Sequence, residues 1–79
     1  AQVARNAHLR LAMLNEGRGQ AGAAIAAYEK AIAAGLKLPA VFFALGLLYR
    51  LVRRHTDARA ALTLAAQHPF YRRAVALLD

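Results

Sequence analysis

Small and apolar residues recur along this chain at helical spacing. Ala24, Tyr28, Ala31 and Gly35 are separated by 4, 3 and 4 positions, which lays them on one helical face. Ala58, Leu62 and Ala65 repeat that face. Segment 40–52 carries two stripes, one of Phe42, Leu45, Tyr49 and Val52 and a second of Phe43, Leu47 and Leu51. A helix apolar on several sides is a buried one, so this segment is expected at the middle of a helical stack. The longest apolar run, from Leu38 to Tyr49, is interrupted by Pro39 and closed by Arg50. A membrane span needs ~20 residues, so the run reads as a buried helix of a soluble protein. Breakers divide the pattern. Gly17 and Gly19 separate the first helix from the second, and Gly35 closes the second as a left-handed glycine would. Pro39 opens the third, and Thr56 and Asp57 suit the cap and first turn of the fourth. His68 and Pro69 end the fourth, because the residue before proline disfavours the helical region. The pattern predicts helices at about 4–16, 20–34, 39–54, 57–68 and 70–78, with no strand.

A shift of 34 residues aligns the chain with itself without a gap. It pairs Leu11 with Leu45, Leu14 with Leu48, Ala24 with Ala58, Ala26 with Ala60, Ala27 with Ala61 and Ala31 with Ala65. Ala40 and Val41 then pair with Ala74 and Val75, and Met13/Leu47 and Leu36/Phe70 are conservative matches. Leucine matches carry more weight than alanine matches in a chain this rich in alanine. Equivalent leucines Leu11 and Leu45 are expected in matching buried positions, as are Ala31 and Ala65. Small residues at Ala12/Gly46 and Ala24/Ala58 would let paired helices approach closely.

A period of this length, with W-x2-L-G-x2-Y followed by A-x3-F and then P, marks the tetratricopeptide repeat (TPR). The second copy reads Phe42, Leu45, Gly46, Tyr49, Ala58, Leu62, Ala65 and Pro69, with Phe for Trp and Leu for the later aromatic. The first reads His8, Leu11, Ala12, Asn15, Ala24, Tyr28 and Ala31, departing at His8 and Asn15, and its proline is displaced to Pro39. The chain thus resembles the TPR family over about residues 5–79. The resemblance implies an all-α fold of antiparallel helix-turn-helix repeats in a right-handed superhelical stack. Repeat 1 would span about 5–38 and repeat 2 about 39–69, with 70–79 a C-terminal helix that opens a third copy or caps the stack.

Composition agrees with an all-α chain. Of 79 residues 21 are alanine, so the 59% hydrophobic content carries a modest burial payload. Both ends, Ala1 and Asp79 after an apolar run, are expected to be cuts from a longer chain. The Ala, Arg and Leu richness suggests a bacterial source, and the compartment stays open, with a soluble cytoplasmic protein favoured. Without cysteine there is neither a disulfide framework nor a thiolate metal site. His8, His55 and His68 are scattered, as are Glu16, Glu29, Asp57 and Asp79. No metal, no cofactor and no catalytic site are therefore expected. Serine is missing, Thr56 and Thr63 are the only hydroxyls beyond tyrosine, and Gly17-Arg18-Gly19 is too poor in glycine for a phosphate loop.

The net charge is +7, which favours an acidic partner, nucleic acid or an anionic surface. Arg50, Arg53 and Arg54, with Arg59 nearby, share a face at a helix C-terminus, where cations also complement the macrodipole. Arg72 and Arg73 are placed in the first turn of the last helix, where the dipole disfavours them. Arg53, Arg54, Arg72 and Arg73 are the candidate anion patch.

In the TPR family the first helix of each pair lines the groove. The matching offsets here are Asn6, Leu9, Arg10, Met13 and Glu16, then Ala40, Phe43, Ala44, Leu47 and Arg50. Leu9, Met13 and Ala44 stand where some members clamp a carboxylate, so that clamp is missing. The candidate partner-binding residues are Leu9, Arg10, Met13, Phe43, Leu47 and Arg50, an apolar, arginine-edged groove for a peptide or helix of another protein. Alternatively Phe43 and Leu47 are covered by neighbouring helices. The expected function is a scaffold, adaptor or chaperone-type protein–protein interaction module, not an enzyme. The rivals are a basic helical domain for nucleic acid or anionic membrane, and an accessory region of an enzyme whose catalytic domain lies elsewhere. Self-association, through Phe43, Leu47, Leu77 or Leu78, is also expected, because two repeats cannot cover every apolar face.

Overall fold

A computed structural model describes the backbone of residues 2–78 and the side chains of residues 6–78. Asp79, the last residue of the expected C-terminal helix, lies outside the described residues, as does the side chain of Arg5. Five α-helices follow one another: α1 (Gln2–Gly17), α2 (Ala21–Ala33), α3 (Pro39–Leu51), α4 (His55–Ala66) and α5 (Pro69–Ala76). There is no strand among the described residues. The chain forms two compact units, Ala1–Lys37 and Leu38–Asp79.

The first unit is the α1–α2 hairpin. Its core is built from small residues: Ala12, Ala24 and Ala31 are fully buried, and Ala27, Ile25 and Tyr28 nearly so. The absence of bulk at these positions lets the two helices come close, and Tyr28 supplies most of the volume. Its hydroxyl crosses to α1 and donates to Glu16 Oε1 at 2.7 Å.

In the second unit α3 pairs with α4, and α5 packs on both. Val41, Leu45, Gly46, Leu48 and Tyr49 of α3 are buried with Ala58, Ala61, Leu62 and Ala65 of α4. Gly46 marks the closest approach. A Cβ placed there would lie 2.5 Å from Leu62 Cδ2, 2.6 Å from its Cγ and 3.4 Å from its backbone nitrogen.

The 34-residue register reappears in the buried set: Ala12/Gly46, Asn15/Tyr49, Ala24/Ala58, Ala27/Ala61, Tyr28/Leu62 and Ala31/Ala65 are buried in both units. It fails at the leucines. Leu45 and Leu48 are buried at 2% and 6% exposure, whereas Leu11 and Leu14 are both 49% exposed. In the second unit α5 packs on α3 and α4, whereas the first unit is a two-helix hairpin. Ala26 and Ala60 match in sequence but are both exposed, so that pairing carries no packing.

Helix ends also repeat. The N–H of Gln20 donates to the Asn15 carbonyl at 2.9 Å and that of Arg54 to the Tyr49 carbonyl at 2.8 Å. The N–H of Gly19 donates to Glu16 and that of Arg53 to Arg50, both at 3.1 Å. These are paired Schellman closures. Other boundaries differ from the sequence expectation. Helix α3 stops at Leu51, not near 54, because Arg53 turns left-handed at φ 64°. Helix α4 begins at His55, so Thr56 is inside it; Arg54 holds the N-cap place, without a side-chain cap. Helix α5 begins at Pro69, so Arg72 closes its first turn, whereas Arg73 falls in the last, where a cation suits the dipole. His68 caps α5, its Nδ1 accepting the Phe70 N–H at 3.1 Å.

Candidate interaction surface

The arginine-rich end of α3 is the most structured polar feature. Arg54 is engaged within the fold. Its guanidinium carbon lies 4.6 Å from the Tyr49 ring centroid, and its Nε and Nη2 donate to Asp57 Oδ2 at 2.9 and 2.8 Å. The chain reversal after α3 brings Arg54 and Asp57 together. Asp57 therefore answers Arg54 as well as the dipole of α4.

Arg50 and Arg53 instead line an open cavity of about 480 Å³ with Leu47, Leu51 and His55. Leu47 and Leu51 are 37% and 71% exposed, so apolar side chains and guanidinium groups share one surface. Two candidate groove residues, Leu47 and Arg50, are thus brought together. Phe43 is not part of that cavity. It is half-buried, its ring centroid 5.1 Å from that of Tyr71 in a tilted stack, so a helix of the same unit covers it.

Leu9, Arg10 and Met13 lie on α1 of the first unit, where Leu9 is half-buried, Arg10 exposed and Met13 58% exposed. Glu16, read as a groove-facing position, accepts the Tyr28 hydroxyl. Burial first, and then the Glu16 carboxylate, hold the Tyr28 hydroxyl well above the ordinary phenol range. Arg72 leans on the last turn of α4, its Nε 3.5 Å from the Ala66 carbonyl. Of the four candidate anion-patch residues, only Arg53 reaches the cavity beside Arg50.

Sequence reasoning missed Leu51, His55 and Tyr71 as site-shaping residues. Leu51 and His55 flank the turn that carries Arg53, and only the turn's geometry joins them. Phe43 and Tyr71 are not equivalent in the 34-residue register, so nothing in the pattern joined them. Among the described residues no group of His, Asp and Glu is placed to hold a metal ion. No helix among them is long and apolar enough to cross a membrane.

Set against known proteins, the chain matches no family model, no curated sequence and no solved structure.

Proposed function

We propose that this chain is a protein–protein interaction module of tetratricopeptide-like construction, which binds a peptide or helix of a partner and catalyses nothing. The observation that carries the reading is the surface at the end of α3, where exposed Leu47 and Leu51 adjoin Arg50 and Arg53. Arg53 sits at φ 64° in a place where the first unit has Gly19. An arginine kept in that conformation costs about 1–2 kcal/mol, and such strain concentrates where a side chain is needed. The family part of the proposal, with its right-handed superhelical stack, rests on the 34-residue register of buried small residues and helix closures. The scaffold, adaptor or chaperone-type role follows from that resemblance.

Selection from a random peptide display library against the immobilised chain tests the reading. Amphipathic peptides should be enriched, their binding should survive high salt, and Leu47→Lys should abolish it. Enrichment of nothing, with tight binding of duplex DNA or anionic vesicles that collapses as salt rises, would favour the basic-domain alternative.

A further inference from the structure

A second cavity of about 240 Å³ shares Arg50 and His55 with the first and lies between the end of α3, one edge of α4 and the end of α5. His55, Arg59, Leu62 and Thr63 of α4 line it at helical spacing, and Val75 and Leu78 close it from α5. Its chemistry is divided. The floor is Leu62, only 8% exposed, with half-buried Val75 and Leu78 beside it. The rim carries the exposed Arg50, His55 and Arg59. Thr63 spends its hydroxyl proton on the Arg59 carbonyl at 2.7 Å, so the guanidinium groups are the donors turned to a ligand. No described carboxylate lines the cavity, and Asp57, the acid of the first turn of α4, is held by Arg54 at 2.8 Å. The positive rim is therefore uncompensated, and its complement is an anion attached to an apolar group.

Size narrows the class. Small-molecule and cofactor sites begin at roughly 300 Å³, whereas roughly 150 Å³ of aliphatic cavity holds a single benzene ring. The space fits one branched or aromatic side chain. A nucleic-acid backbone would answer the arginines and leave the Leu62 floor in water. A flat bilayer would not enter a concavity between two helix ends and a helix edge.

We propose that this cavity receives one apolar side chain of an acidic protein segment, with Arg50 and Arg59 holding the carboxylates that flank it. The inference rests on the interaction-module reading and adds a contact in the cavity lined by Arg59, Leu62 and Leu78.

The test is fluorescence anisotropy on the whole 79-residue chain. The probe is a labelled peptide of alternating leucine and glutamate, compared with oligoglutamate and with a leucine–glutamine peptide. The alternating peptide should bind at least about tenfold tighter than either control. Arg59→Glu should weaken it by about tenfold or more, with Leu78→Ala weakening it while sparing the weak oligoglutamate binding. Arg18→Glu, the same charge change in the first unit, should stay within about twofold. Circular dichroism verifies folding, and Arg59→Gln replaces Arg59→Glu if the latter unfolds. Equal binding of oligoglutamate, equal loss from Arg18→Glu, competition by duplex DNA or phosphatidylserine vesicles through Arg59, or no binding of the probe would each overturn the proposal. If display-selected peptides still bind through Leu47 while this probe fails, only the second contact falls. If both fail, the module reading falls with it.

Discussion

Gly19 and Arg53, thirty-four residues apart, hold the same left-handed backbone at φ 74° and 64°. Each is the second residue past a helix, and each is followed by an N–H that closes back five residues, from Gln20 to Asn15 and from Arg54 to Tyr49. Glycine adopts this conformation without steric cost. Arginine does not, because its Cβ crowds the following carbonyl.

Arg53→Gly should therefore stabilise the chain. Relief of about 1–2 kcal/mol of strain is partly offset by about 0.4–1 kcal/mol from the looser unfolded chain, leaving a gain of about 0.5–1 kcal/mol. Urea denaturation reads this directly. The same variant should bind display-selected peptides more weakly, since it loses a guanidinium from the Leu47 surface. A variant that is less stable would show that the Arg53 side chain recovers its strain within the fold.

Gly46→Leu should be among the worst changes in the chain, and Gly46→Ala should already destabilise it. The first added carbon meets Leu62 Cγ at 2.6 Å, too near the backbone for that side chain simply to swing aside. Overpacking of this kind costs about 1–3 kcal/mol, more than the gain of about 1 kcal/mol in helix propensity from alanine. Thermal unfolding should show a lower midpoint. In a Leu62→Ala background, Gly46→Ala should become neutral or stabilising, and an unchanged penalty there would mean that the close approach lies elsewhere.

Stability should fall as pH rises above the ordinary tyrosine value of 10.0, and Tyr28 should be one cause. Its folded hydroxyl resists ionisation, by burial first and then through Glu16, whereas in the unfolded chain it ionises normally. The folded state is then favoured fully below that value and loses ground above it. Tyr28→Phe should flatten this part of the alkaline limb in a urea series run from pH 8 upward, with a cost at neutral pH of about 1 kcal/mol or less for the lost hydrogen bond. An unaltered slope would assign the alkaline loss to other groups.

Tyr71→Ala should loosen α5 and bare Phe43. Tyr71 touches three rings, Phe43 at 5.1 Å, His68 at 6.2 Å and Phe70 at 4.9 Å between centroids. A helix of eight residues does not hold in water by propensity, so it depends on this packing. Hydrogen exchange should quicken across residues 69–76 while α1 and α2 keep their protection. Protection unchanged in α5 would place its anchor in Val75 and Leu78 instead.

The small residues that set helix approach were legible because their reason is local and periodic. Alanine and glycine recurring on one helical face leave room for a neighbouring backbone, and Ala12, Gly46, Ala24, Ala58, Ala31 and Ala65 are all buried. Pro39, Gly35 and Gly19 act through their own φ and missing or permissive groups, so they announced helix ends within a residue or two. Arg53 concealed the end of α3, since nothing in arginine advertises a left-handed turn.

What the sequence determined by itself was the number of helices, their approximate limits and the register at which the two hairpins repeat. Hydrogen bonds three to five residues apart and side-chain periodicity are properties of neighbours along the chain. Tertiary structure decided the rest. Leu11 and Leu45 are equivalent in the pattern, yet only Leu45 is buried. Arg54 and Arg50 belong to one basic cluster, yet one is tied to Asp57 and Tyr49 while the other lines a cavity. Burial and charge pairing depend on what stands within a few ångströms in space, and neither pattern along the chain contains that information.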